Sequence, residues 1–223
     1  SNWMDYNKHN NYNNDILYIA KNDIDITKIE QQIRFFGHND LEIIIIPAWD
    51  CLPYDSTSPK PVISSQRIKN LYKLATRSQD KKFLIITSIN AFIQKTVNPD
   101  QIKDLGLYLG VGSKISIEQI ANFLIAKGYE RQAVANDIGD FAVRGGIIDI
   151  VMQQAADLIG YRLDFFGEEV ESIKIFDPLT QISQEEVKNI EILPASEIIL
   201  NEKTIESFRK YYRQTCSNWK DDQ

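Results

Sequence analysis

The sequence predicts an α/β protein in two parts: a parallel sheet covered by helices, followed by a smaller α+β module that is largely antiparallel. Three solidly apolar runs, ILYIA (Ile16 to Ala20), LEIIIIP (Leu41 to Pro47) and KFLIITS (Lys82 to Ser88), alternate with stretches of helical period. The order βαβαβα argues for parallel strands buried on both faces. Beyond Asp104 the strands instead alternate apolar and polar residues with a period of two, the mark of half-buried antiparallel strands.

In chain order, positions 1–14 (SNWMDYNKHNNYNN) are polar and rich in Asn with no apolar period, and read as a disordered start. Residues 15–105 form the α/β domain. Its first helix places Ile26, Ile29, Ile33 and Phe36 on one face and ends at Gly37. The proline-rich loop PAWDCLPYDSTSPKPVISS follows, and segments that long inside a compact domain are usually functional. Ser64 or Ser65 is expected to cap a helix facing inward through Ile68, Leu71 and Leu74 or Ala75, and Ser88 to cap INAFIQK.

Residues 106–196 form the second module. Ser116 and Gln119 make a capping box before IEQIANFLIAK, which Gly128 ends. FAVRGGIIDIV follows, then a polar break at MQQAADLIG, then a hairpin of YRLDFF and VESIKIF around Gly167. Residues 197–223 hold a helix with Ile205, Phe208, Tyr212 and Cys216 on one face, expected to return to the first domain and to be cut short.

Charge and cysteines exclude several classes. Across 223 residues, 25 basic against 31 acidic side chains give net −6, with no basic block, so a nucleic-acid backbone is not the expected partner of this segment. Cys51 and Cys216 lie far apart without metal-binding spacing. No apolar run approaches the ~18 residues of a membrane span and no secretory leader is visible, so the expected location is the cytoplasm.

Few residues invite a catalytic reading. LGLYLGVGSK fails the GxxxxGK[ST] spacing of a phosphate loop, because Ser113 separates Gly112 from Lys114; an interdomain turn explains it better. Asp50, Asp55 and His38 as an acid/base or metal set rest on loop composition alone. Trp49, Leu52 and Tyr54 read first as anchors of their own loop.

The strip on YRLDFF is different. Alternation puts Leu163 and Phe165 on one face and Arg162, Asp164 and Phe166 on the other, while Phe141 and Val143 oppose Ala142 and Arg144. A solvated strand face and a protein-binding strip both explain Arg144, Arg162, Asp164 and Phe166, since arginine and aromatics are enriched at interface hot spots.

As a set, PAWDCLPYD, SPKPVISSQRIKNLYKL, FAVRGGIIDI, YRLDFFGEEVESIKIFDPLTQIS and ILPASE resemble, in the same order, the N-terminal region of the bacterial transcription-repair coupling factor (Mfd) family. That region is similar to the corresponding part of the excinuclease protein UvrB. The resemblance implies a degenerate helicase-like (RecA-like) domain without a nucleotide site, into which the α+β domain is inserted. It also implies that the inserted domain binds the excinuclease protein UvrA through Arg144, Arg162, Asp164 and Phe166, recruiting repair to a stalled polymerase.

No cofactor is expected in this chain; ATP and magnesium, like RNA polymerase and DNA, would engage only motor and polymerase-binding parts of a longer parent. The sequence lacks UvrB's phosphate loop and its Tyr-rich DNA-separating hairpin, which argues against the alternative of an ATP-dependent DNA-processing enzyme of the UvrB type. A second alternative is an autoinhibitory clamp of the same face on the parent's motor.

Overall fold

Why the first three apolar runs behave as strands is plain from their pairing. In a computed structural model describing residues 15–36, 42–52, 57–78, 82–154, 157–197 and 202–217, β1 (Ile16–Ala20), β2 (Glu42–Ile46) and β3 (Phe83–Ser88) form a parallel sheet in the order β1-β3-β2. Helix α1 (Asp23–Phe35) starts at Asn22, whose side chain accepts the Asp25 N–H at 2.9 Å. It packs Ile26, Ile29 and Ile33 against Leu84 and Ile86. Phe36, expected on that face, is exposed instead: it caps the helix one residue past its end and meets Phe35 edge-on. Gly37, like positions 1–14, lies outside the described residues.

Helix α2 (Pro61–Ala75) begins earlier than a serine cap would allow. Proline at the first turn supplies a pre-set φ and has no orphan N–H, so Lys60 stands at the N-cap without a side-chain bond and Ser64 is buried inside the helix. Buried Arg67 donates to the Pro47 carbonyl and stacks over Trp49 at 5.2 Å, and Asn70 donates to the Ile45 carbonyl at 2.6 Å. These bonds tie the loop after β2 to its own domain. Ser88 does cap a helix, but α3 (Ile89–Phe92) lasts one turn before α4 (Pro99–Lys103).

The chain divides into two compact units between Asp104 and Leu105. In the second, β4 (Leu107–Gly110) pairs antiparallel with β11 (Asn189–Ile192), so LGLYLGVGSK is a strand and a tight turn at Gly112 (φ 86°), where a plain interdomain turn was expected. Helix α5 (Ile117–Ala126) carries the full capping box: Ser116 accepts from the Gln119 N–H at 3.2 Å and Gln119 accepts from the Ser116 N–H at 2.9 Å.

The main sheet contains β5 (Glu130–Arg131), β6 (Asp140–Arg144), β7 (Ile147–Gln154), β8 (Asp157–Phe166), β9 (Glu169–Phe176) and β10 (Ser183–Glu186), ordered by sequence from one edge to the other. Only β5 and β6 run parallel. MQQAADLIG is not a break: β7 and β8 stay paired to Gln154 and Asp157, because backbone pairing carries the hairpin past the end of its apolar content. One sheet face buries Phe141, Ile148, Ile150, Leu163 and Ile173 with Ile120 and Leu124 of α5. Helix α6 (Glu202–Ser217) shows Ile205, Phe208 and Tyr212 as exposed, while the Cys216 side chain lies outside the described residues. Among the described residues, no helix is long and apolar enough to cross a membrane.

Candidate functional site

Antiparallel register turns the other face of the main sheet into rows. Asp149, Arg162, Lys174 and Glu186 lie opposite one another on β7, β8, β9 and β10, and the next row is Arg144, Ile147, Asp164 and Ser172. Side chains directly opposite and on the diagonal between rows are within reach of long charged residues.

Asp149 is the centre of this face. It has no exposed surface, although Ile148 and Ile150 flank it. Arg162, its direct neighbour, donates through Nε at 2.7 Å and Nη2 at 3.0 Å to its two carboxylate oxygens, and Arg144 donates to it from the diagonal. Burying a carboxylate is costly without such charge-assisted bonds, and two guanidinium groups supply them. Arg162 also donates to Ser183 Oγ at 3.2 Å and lies 4.8 Å over the Phe176 ring. That ring needs the bare backbone of Gly160 opposite it, where a Cβ would come within 2.4 Å. Hydrogen bonding to Asp149 pushes the Arg162 guanidinium above its ordinary pKa.

Asp164 is held separately, accepting from Lys174 Nζ at 2.8 Å and Ser172 Oγ at 2.7 Å. Burial, the largest influence, pulls its pKa up, but the bonds from Lys174 and Ser172 and the nearby charges outweigh it, so the carboxyl titrates below its usual value. The hydrogen bond to Asp164 raises Lys174 in turn. A group depressed on folding adds stability above its unfolded pKa and loses it as pH falls through the folded one. Unfolding by denaturant between about pH 5 and pH 2 should therefore show a stability loss that begins near the ordinary aspartate value of 3.8 and is smaller in Asp164→Asn. An identical pH dependence in both proteins would contradict the pairing.

Past Asp164 the pairing slips: Phe165 faces Val170 although Asp164 faces Ser172, leaving Glu171 as the extra residue of a bulge. This explains why Val170 and Ile173, three apart, both reach the core. Phe165 packs against that core while Phe166 stands 81% exposed. A depression of about 500 Å³ opens beside Asp164, lined also by Ile147, Phe165, Glu171 and Lys174.

The structure thus brings Arg144, Arg162 and Asp164 together on one face, and alternation along β8 puts Phe166 on the same side at the hairpin end. Their exposure differs: the side chain of Arg144 is 48% exposed and that of Arg162 only 17%. Sequence reasoning missed Asp149, Lys174 and Phe176; a lone acid inside GIIDIV was the available signal. Elsewhere, Asp50 pairs with Lys60, Trp49 is tied to Gln94 through its N–H, and the Leu52 side chain is exposed. His38, Tyr54 and Asp55 lie outside the described residues. Among the described residues, no group of three His, Cys, Asp or Glu could hold a metal ion.

Residues 107–198 match the family model of the UvrB interaction domain. The chain is 35% identical over 202 residues to the transcription-repair-coupling factor of Rickettsia conorii, covering 91% of this chain and 18% of that protein. The Escherichia coli transcription-repair-coupling factor is 30% identical over 200 residues, covering 90% of this chain and 17% of its own length. The chain therefore spans less than a fifth of the relatives it matches. Residues 107–198 thus match a UvrB interaction domain, in a chain that is similar to a segment of the bacterial transcription-repair-coupling factors over nine-tenths of its length.

Proposed function

We propose that the second unit docks the excinuclease protein UvrA through the face carrying Arg144, Arg162, Asp164 and Phe166, and so recruits it for transcription-coupled nucleotide excision repair. Phe166 carries the reading. A large ring left 81% exposed on the sheet face that carries Arg144, Arg162 and Asp164 has the composition of an interface hot spot and makes little sense as a solvated strand end. The module acts by docking, without catalysis of its own and without a cofactor. Residues 15–105 serve as a helicase-like (RecA-like) body that has no nucleotide site. RNA polymerase, DNA, ATP and magnesium engage the remainder of a longer parent, and the whole works in the cytoplasm.

Titrating purified UvrA against the chain tests this. Phe166→Ala should bind about thirtyfold more weakly, the ~2 kcal/mol of a hot spot. Its stability should stay within about 0.5 kcal/mol of the unaltered chain, because an exposed ring contributes little to folding. Equal affinity for both proteins would remove Phe166 from the site.

A further inference from the structure

The two arginines around Asp149 are held in different ways. Arg162 is fixed on three sides: its fork takes both oxygens of Asp149, Nη1 reaches Ser183, and the guanidinium lies on Phe176. Arg144 is held at one end only, by Asp149 from the diagonal, and its side chain is nearly half exposed. Two cations share one buried anion, and Arg162 engages both of its oxygens while Arg144 engages one, so Arg144 is the less committed of the two. The domain around it is acidic, with seven basic against fifteen acidic side chains over 107–198.

Resting on the docking reading, we infer that Asp149 is the positioning residue of the site: it holds the Arg144 guanidinium as a pre-oriented fork for a carboxylate side chain of the partner. Arg162 locks Asp149 in place. A free arginine would lose rotamer freedom on binding, and one already anchored loses less, so anchoring raises affinity without a new contact. Asparagine at 149 would offer one acceptor oxygen to two guanidinium groups and turn an N–H toward one of them. Arg144 would then be released.

The test titrates purified UvrA against the unaltered chain, Asp149→Asn, Arg144→Ala, their double variant and Arg144→Lys. Each single change to Asn or Ala should weaken binding roughly tenfold or more. The double variant should be no weaker than the worse single, because both act through one guanidinium. Effects that multiply, or Asp149→Asn binding like the unaltered chain, would overturn the inference. Arg144→Lys, a surface change that leaves the fold intact, keeps the charge but cannot present a fork. It should lose most of the affinity that Arg144→Ala loses, and lysine binding as well as arginine would overturn the inference even where Asp149→Asn does not fold. A failure of the unaltered chain to bind UvrA would refute the docking reading itself, an outcome distinct from these.

Discussion

Replacing Phe176 by alanine should destabilise the second unit by about 3–5 kcal/mol, the cost of emptying a fully buried aromatic site. The ring is 1% exposed and packs with Ala135, Ala142, Val151 and Leu158. Most of its apolar neighbours are small and its floor is the bare backbone of Gly160, so they fill little of the space. The change also removes the surface on which the Arg162 guanidinium rests, a cation–π contact of about 0.5–2 kcal/mol. Because a whole domain is stable by only about 5–15 kcal/mol, Phe176→Ala should sit near the edge of unfolding at room temperature. Amide hydrogen exchange at Gly160 to Leu163 of β8 reads it directly. A loss under about 1 kcal/mol there would show that the ring is not the packing element its burial implies.

Faces were legible in the sequence wherever one side of a strand is buried and the other is not. Alternation separates Phe141 and Val143 from Arg144, and Leu163 from Arg162 and Asp164, because a half-buried strand must send every second side chain to the core. The solid apolar runs at Ile16 and Ile43 form parallel strands as expected, but the first is not buried on both faces, since Leu17, Tyr18 and Ile19 are exposed. Partners across strands were not legible. Asp149 meets Arg162 only because the hairpin between β7 and β8 sets that register, and the residues at its tip have the composition of a polar gap. Lys174 and Ser172 reach Asp164 only because the bulge at Glu171 shifts β9, and its sole trace in the sequence is the three-residue spacing of Val170 and Ile173. Helix α2 departs from expectation for a local reason: two serines suggest a later start, but the ring of Pro61 already sets the first turn.

Arg162→Ala should lose both stability and binding, and this pair of losses separates its role from that of Phe166. Removing one partner of a buried ion pair typically costs about 3–5 kcal/mol, since the remaining charge has neither water nor a full set of donors. Arg144 still contacts Asp149, which keeps the expected cost toward the lower end, about 3 kcal/mol. The Phe176 ring loses its cover at the same time. Adding Asp149→Asn to Arg162→Ala should then restore part of the stability, because the stranded charge disappears with its missing partner; further destabilisation would mean that Arg144 alone satisfies Asp149. Affinity for UvrA would not recover in the double variant, since Arg144 has lost its anchor. A weaker complex with Arg162→Ala therefore does not measure a contact between Arg162 and the partner. Phe166→Ala, which leaves the fold untouched, does measure one, so the ring and the buried pair have to be assayed for stability and for binding side by side.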